Sequence, residues 1–119
     1  MRKLTVTYQT FDVVVVPFPF TDRTTSKRRP ALVLSDEAAF NARSGNAVLA
    51  MITSAAHSEW PLDVMLDDYE AAGLPSPSKV RMKIFTLDQQ LILRRIGALG
   101  SRNRQEVAKS IRKLLKAFL

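Results

Sequence analysis

Three short stretches carry side chains suited to a phosphate diester. The first is Lys27-Arg28-Arg29-Pro30. An arginine offers a planar fork of donors that matches two phosphate oxygens. The proline restricts Arg29 to extended backbone, which aims its side chain reproducibly. The second stretch is Thr53-Ser54, two adjacent hydroxyls able to donate to a phosphoryl oxygen. The third is Lys79, Arg81 and Lys83, spaced by two so that a regular strand would turn all three to one face. Three cations on one face repel each other unless they meet an anion, and a nucleic-acid backbone supplies one. His57 is the only histidine, and histidine is the side chain that ordinarily changes charge near neutral pH. Phe20 and Trp60 could stack on bases, at about 1–3 kcal/mol per base. Each feature taken alone also has a plainer reading: basic runs are often solvated turns, and Thr and Ser often finish strands.

The rest of the composition narrows the chemistry. The 119 residues include no cysteine, which removes disulfides and thiolate metal sites. One histidine argues against a histidine-based zinc centre or a histidine-pair nuclease. Only four glycines are present, none in phosphate-loop spacing. The reading therefore needs no metal and no cofactor. The formal charge is +7, from 18 Lys+Arg against 11 Asp+Glu, and it is unevenly spread. Residues 101–119 carry six bases and one acid, whereas residues 59–70 carry five acids and no base. A dipolar surface follows. No apolar run approaches the ~20 residues of a membrane span and the N-terminus lacks an apolar signal core, so a cytoplasmic protein without a membrane partner is expected.

The elements that must position these groups read as mainly β. The length suits one domain spanning 1–119. The valine run at 12–17 predicts a buried strand that ends, or runs along a sheet edge, at Pro17 and Pro19. Further strands are predicted at 29–35, 46–53, 62–66, 79–85 and 91–99. One or two helical turns are predicted at 36–43, a turn at Gly45, a short helical turn at 67–73 closed by Gly73, and a tight turn at 87–90. A final helix follows, with Ser101 as its N-cap. Val107, Ala108, Ile111, Leu114, Leu115 and Phe118 form its apolar stripe. The architecture expected is a small β-barrel or sandwich with a packed C-terminal helix.

Read together, the motifs resemble the MazF/PemK family of toxins from bacterial toxin–antitoxin pairs. The likeness rests on Asp12-Val13-Val14 through Pro17, on Lys27-Arg28-Arg29-Pro30 running into Ala31-Leu32-Val33-Leu34-Ser35, and on Met51-Ile52-Thr53-Ser54. It continues in Lys79-Val80-Arg81 and Phe85-Thr86-Leu87-Asp88 ahead of the terminal helix. The resemblance implies an SH3-like or PemK-like β-barrel acting as a homodimer. It implies a metal-independent endoribonuclease that cuts single-stranded RNA at short sequences. The RNA's own 2′-OH attacks the phosphate, leaving a 2′,3′-cyclic phosphate and a 5′-OH. It also implies a cognate antitoxin, acidic and amphipathic, with DNA engaged only through the toxin–antitoxin complex.

By position, Arg29 and Thr53 match the family's catalytic Arg and Thr, Ser54 stands beside Thr53, and Arg81 matches a basic residue that some relatives use in catalysis; these four are the expected catalytic residues. Phe20, Lys27, Arg28, His57, Trp60, Lys79 and Lys83 would hold the RNA on either side. Some relatives carry an Asp two positions after the residue matching Arg81; here that position is Lys83. An arginine is a poor general base, because its guanidinium keeps its proton throughout the physiological range. Arg29 is therefore assigned to phosphate clamping and transition-state charge, and proton transfer is left without an owner. Two other readings are weighed. One is a protein-binding toxin of the same barrel shape, similar to CcdB, which poisons DNA gyrase; that class uses an exposed Trp near its C-terminus, and the only Trp here is Trp60. The other is a basic nucleic-acid-binding module without catalysis.

Overall fold

The computed structural model describes residues 6–18 and 27–116. Their strands are β1 (Asp12–Pro17), β2 (Arg28–Val33), β3 (Asn46–Ser54), β4 (Val64–Met65), β5 (Ser78–Asp88) and β6 (Arg94–Ala98). They form one antiparallel sheet in the order β4-β5-β3-β2-β1-β6, curled into a half-barrel. Helix α2 (Ser101–Leu114) follows. This is the mainly β fold with a terminal helix that the sequence predicts.

The curl is covered on both faces, which explains the valine run of β1. Val13 joins one apolar cluster with Leu32, Ala50, Ile52, Val80 and Val107 of α2. Val14 and Val16 join the other with Ala31, Val33, Ala47 and Leu49. Alternate side chains of one strand point to opposite faces, so a strand buried on both sides needs apolar residues throughout. Pro30 sits inside β2 opposite Val15, beyond the point where pairing with β3 begins at Ala31. It therefore costs no ladder bond on that side.

Several boundaries differ from the sequence reading. Strand β4 is two residues long, because Leu62 adopts a left-handed φ of 68° and delays the extended backbone. Strand β5 runs on through Asp88, since Leu87 and Asp88 pair with Ala47 and Asn46. The predicted turn becomes a single 3-10 turn, Gln89–Leu91, with the Asp88 carboxylate accepting from Gln90 N at 2.8 Å. Segment 36–43 is a turn of π-helix (Glu37–Asn41) running into a short α1 (Ala42–Ser44), begun by Asp36 and ended by Gly45 at φ 77°. Gly100, not Ser101, occupies the N-cap of α2, and Ser101 is its first helical residue. The stripe of α2 buries Val107 and half-buries Ile111, but Leu114 and Leu115 stay exposed in the isolated chain. Phe118 lies outside the described residues.

The two ends of the curl meet through glycines. A Cβ on Gly73 would lie 2.0 Å from the Ile96 carbonyl oxygen, and one on Gly97 would lie 2.3 Å from that of Ala72. Only residues without side chains let these backbones approach so closely. Gly97 lies beside a one-residue register shift between β1 and β6, the kind of irregularity that bends a strand.

Candidate functional site

A cleft of about 300 Å³ opens on the curl. Its polar lining is Arg29 from β2, Thr53 from β3, and Arg81 and Lys83 from β5. Its apolar lining includes Phe18, Met51, Trp60 and Phe85. Residues predicted from three separated motifs thus come together. The guanidinium of Arg29 lies 5.3 Å from the Phe18 ring centroid, near enough for cation–π attraction.

Strand β5 reaches the cleft through an irregularity. Between Val80 and Ile84 its register against β3 shifts by two residues, Ile52 pairing with Val80 and Ala50 with Ile84. The extra residues let Lys83, Ile84 and Phe85 all line the cleft, which strict alternation would forbid.

The three cations of β5 do not share one open face. Lys83 is exposed, but Lys79 is only 2% exposed. Its ammonium donates to the His57 carbonyl at 2.5 Å and lies 3.7 Å from Asp63. The charge of Lys79 is therefore paired inside the protein, and Lys79 does not line the cleft. Arg81 is also anchored. Its Nε and Nη2 donate to the two oxygens of Asp63 at 3.3 and 3.0 Å, and Nη2 donates to the Ser58 carbonyl at 2.5 Å. The guanidinium stacks 4.8 Å from the Trp60 ring centroid. Only the Nη1 corner of Arg81 is left without a hydrogen bond to the described residues.

Asp63 is the residue that sequence reasoning missed. Its carboxylate also accepts from Trp60 N at 2.9 Å. Burial by itself would raise its pKa. The hydrogen bonds from Arg81 and Trp60 and the charges of Arg81 and Lys79 outweigh that and hold it below the ordinary 3.8. The one available signal was an acid in a run without bases, upstream of a basic strand.

The remaining predicted residues divide. His57 is exposed, and its Nδ1 lies 2.6 Å from Thr53 Oγ1. The Ser54 hydroxyl accepts from Ala56 N at 3.1 Å, so it shapes the turn after β3 and does not line the cleft. Lys27 and Arg28 are exposed at the start of β2, outside the cleft lining. Phe20 falls outside the described residues. Among the described residues no cluster of three or more His, Cys, Asp or Glu could hold a metal ion, and no helix is long and apolar enough to cross a membrane.

A family model for the "PemK-like, MazF-like toxin of type II toxin-antitoxin system" matches residues 9–115. The chain belongs to the PemK/MazF toxin family. Solved MazF structures share its fold. The MazE-MazF complex (Form-II) from Deinococcus radiodurans is 22% identical with a TM-score of 0.72, over 92% of this chain and 96% of that one. An endoribonuclease from a mycobacterial species is 15% identical with a TM-score of 0.73, over 96% of each chain. Another, in complex with its cognate antitoxin, is 15% identical with a TM-score of 0.71, over 92% of this chain and 94% of that one. No curated protein matches the chain. Within this PemK/MazF toxin, the acid facing Arg81 comes from Asp63 on the loop after β3, while Lys83 adds a further cation to the cleft.

Proposed function

We propose that this chain is a metal-independent, sequence-specific endoribonuclease cutting single-stranded RNA. It works in the cytoplasm as a homodimer and is restrained by a cognate antitoxin. The observation that carries this reading is the convergence of Arg29, Thr53 and Arg81 on one cleft. Two guanidinium groups and a hydroxyl suit a phosphate on which negative charge builds. The protein then has no need of its own nucleophile, because the substrate's 2′-OH attacks the adjacent phosphorus. DNA, lacking that hydroxyl, is not cut.

Aromatic rings beside the cations suit unpaired bases. Trp60 is 44% exposed and lies against Arg81. The antitoxin segment would be acidic and amphipathic, since it must cover a cationic cleft with apolar walls. The test is incubation of the pure protein with RNA in EDTA and mapping of the ends. Ends bearing 2′,3′-cyclic phosphate and 5′-OH are expected. A folded protein that leaves RNA intact, or is active only with added metal, refutes the reading.

A further inference from the structure

We propose that His57 is the proton relay of the cleft, acting through the Thr53 hydroxyl; this rests on the endoribonuclease reading. Arginines cannot accept a proton near neutral pH, and Asp63 is engaged by two cations. His57 is the only histidine of the chain. Its Nδ1 stands 2.6 Å from Thr53 Oγ1, and Thr53 lines the cleft beside Arg29 and Arg81.

The loop presenting His57 is held at several points. Ala55 N donates to the Pro77 carbonyl at 3.0 Å and His57 N to that of Ser54 at 3.1 Å. The buried Lys79 ammonium grips the His57 carbonyl, and Arg81 grips the next one, Ser58. The two inner cations of β5 therefore act as struts that fix the imidazole against Thr53. Such fixing is what a proton transfer requires, since a relay must be in place before the reaction.

The step balances as follows. With its hydrogen on Nε2, the imidazole accepts the Thr53 hydroxyl hydrogen at Nδ1 while Thr53 Oγ1 takes the hydrogen of the substrate 2′-OH. The freed 2′-oxygen pair forms the bond to phosphorus, and the P–O5′ bond breaks with its electron pair on O5′. That oxygen takes a proton from a solvent water, and the resulting hydroxide takes one from the imidazolium. The products are a cyclic phosphate and a 5′-OH, with water returned. When the imidazole is already protonated, Nδ1 donates to Thr53 and the relay is closed. Cleavage should therefore rise with pH as the imidazole becomes neutral.

The charged groups around His57 are Lys79 and Arg81 on β5, Asp63 and Glu59 on its own loop, and Arg29 across the cleft on β2.

The experiment uses the full chain and a single-stranded RNA whose cut site has been mapped. Initial rates are measured from pH 5 to 9 for the wild type and for His57→Gln, which keeps an acceptor for Thr53 but cannot carry the proton. The exposed position lets the variant fold, as a melting curve verifies. We expect kcat to fall about 100-fold with KM changed less than about threefold, and the acid limb of the profile to disappear. An RNA with a 5′-bridging sulfur, whose leaving group needs no proton, should show the same loss. A variant within about threefold of wild type, a slow variant that keeps the limb, or restoration by the sulfur substrate each overturns the relay while leaving the endoribonuclease reading intact. A wild type that cuts no RNA overturns both.

Discussion

Replacing Asp63 by Asn should cost far more stability than a surface carboxylate would. The side chains of Asp63, Lys79 and Arg81 are 8%, 3% and 12% exposed. Removing the charge leaves the Lys79 ammonium inside the protein without a counter-ion, whereas Arg81 can turn its Nη1 corner further to solvent. Breaking a buried pair from one side costs about 3–5 kcal/mol, and the partial exposure of Arg81 points to the lower end, about 3 kcal/mol. Unfolding entropy of ~2.1 cal/mol/K per residue over 119 residues converts this to a fall in Tm of about 12 °C. Thermal unfolding at one fixed protein concentration reads it. Adding Lys79→Met should recover part of the loss, because the orphaned charge disappears with its side chain.

The sign with pH follows from the depressed carboxyl. Its contribution is fully present above the unfolded value of about 3.9 and is lost as pH falls through the lower folded value. The gap between wild type and Asp63→Asn should therefore narrow below about pH 4. A loss under about 1 kcal/mol at pH 7, or a double variant no better than Asp63→Asn, would refute the account of a charge trapped between β5 and its loop.

Arg29→Ala should lower kcat/KM for RNA cleavage by about 100- to 1000-fold, the scale of losing one oxyanion-type donor, with a change in Tm of less than about 3 °C. Arg29→Lys should restore little, since a point charge lacks the two-pronged fork. Gly73→Ala and Gly45→Ala make an informative pair, because φ is 83° and 77° respectively. An added Cβ meets open space at Gly45 but the Ile96 carbonyl at Gly73. Urea unfolding should give about 1–2 kcal/mol of destabilisation at Gly45 and at least about 3 kcal/mol at Gly73.

The strands that carry their own period were legible. The valine run of β1, the Arg-Pro-aliphatic run of β2 and the apolar run of β3 all became strands, and α2 followed its 3.6-residue pattern as far as Ile111. The meeting of Arg29, Thr53 and Arg81 was legible through motif order rather than through any local signal. What failed was alternation on β5. Counting by two assumes an unbroken pleat and an open face, but a register shift breaks the pleat between Val80 and Ile84 and the loop after β3 covers Lys79. Asp63 was illegible for a related reason. Its cationic partner Arg81 lies 18 residues along the chain, beyond the reach of any local pattern. The Thr53–His57 contact spans four residues of a turn, whose geometry no period encodes.

Strand β6 bears on how the chain folds. It pairs with β1, and the Arg95–Asp12 ion pair that locks them spans 83 residues of sequence. Until residues 94–98 exist, β1 has one neighbour and a bare row of amides and carbonyls along its other side. Contacts so distant along the chain form slowly, and during synthesis the open side of β1 is a template for another chain. The order of the strands thus ties completion of the sheet to completion of the polypeptide. A ribosome-bound fragment stopping before β6 would hold Arg29, Thr53 and Arg81 yet lack the strand that closes β1.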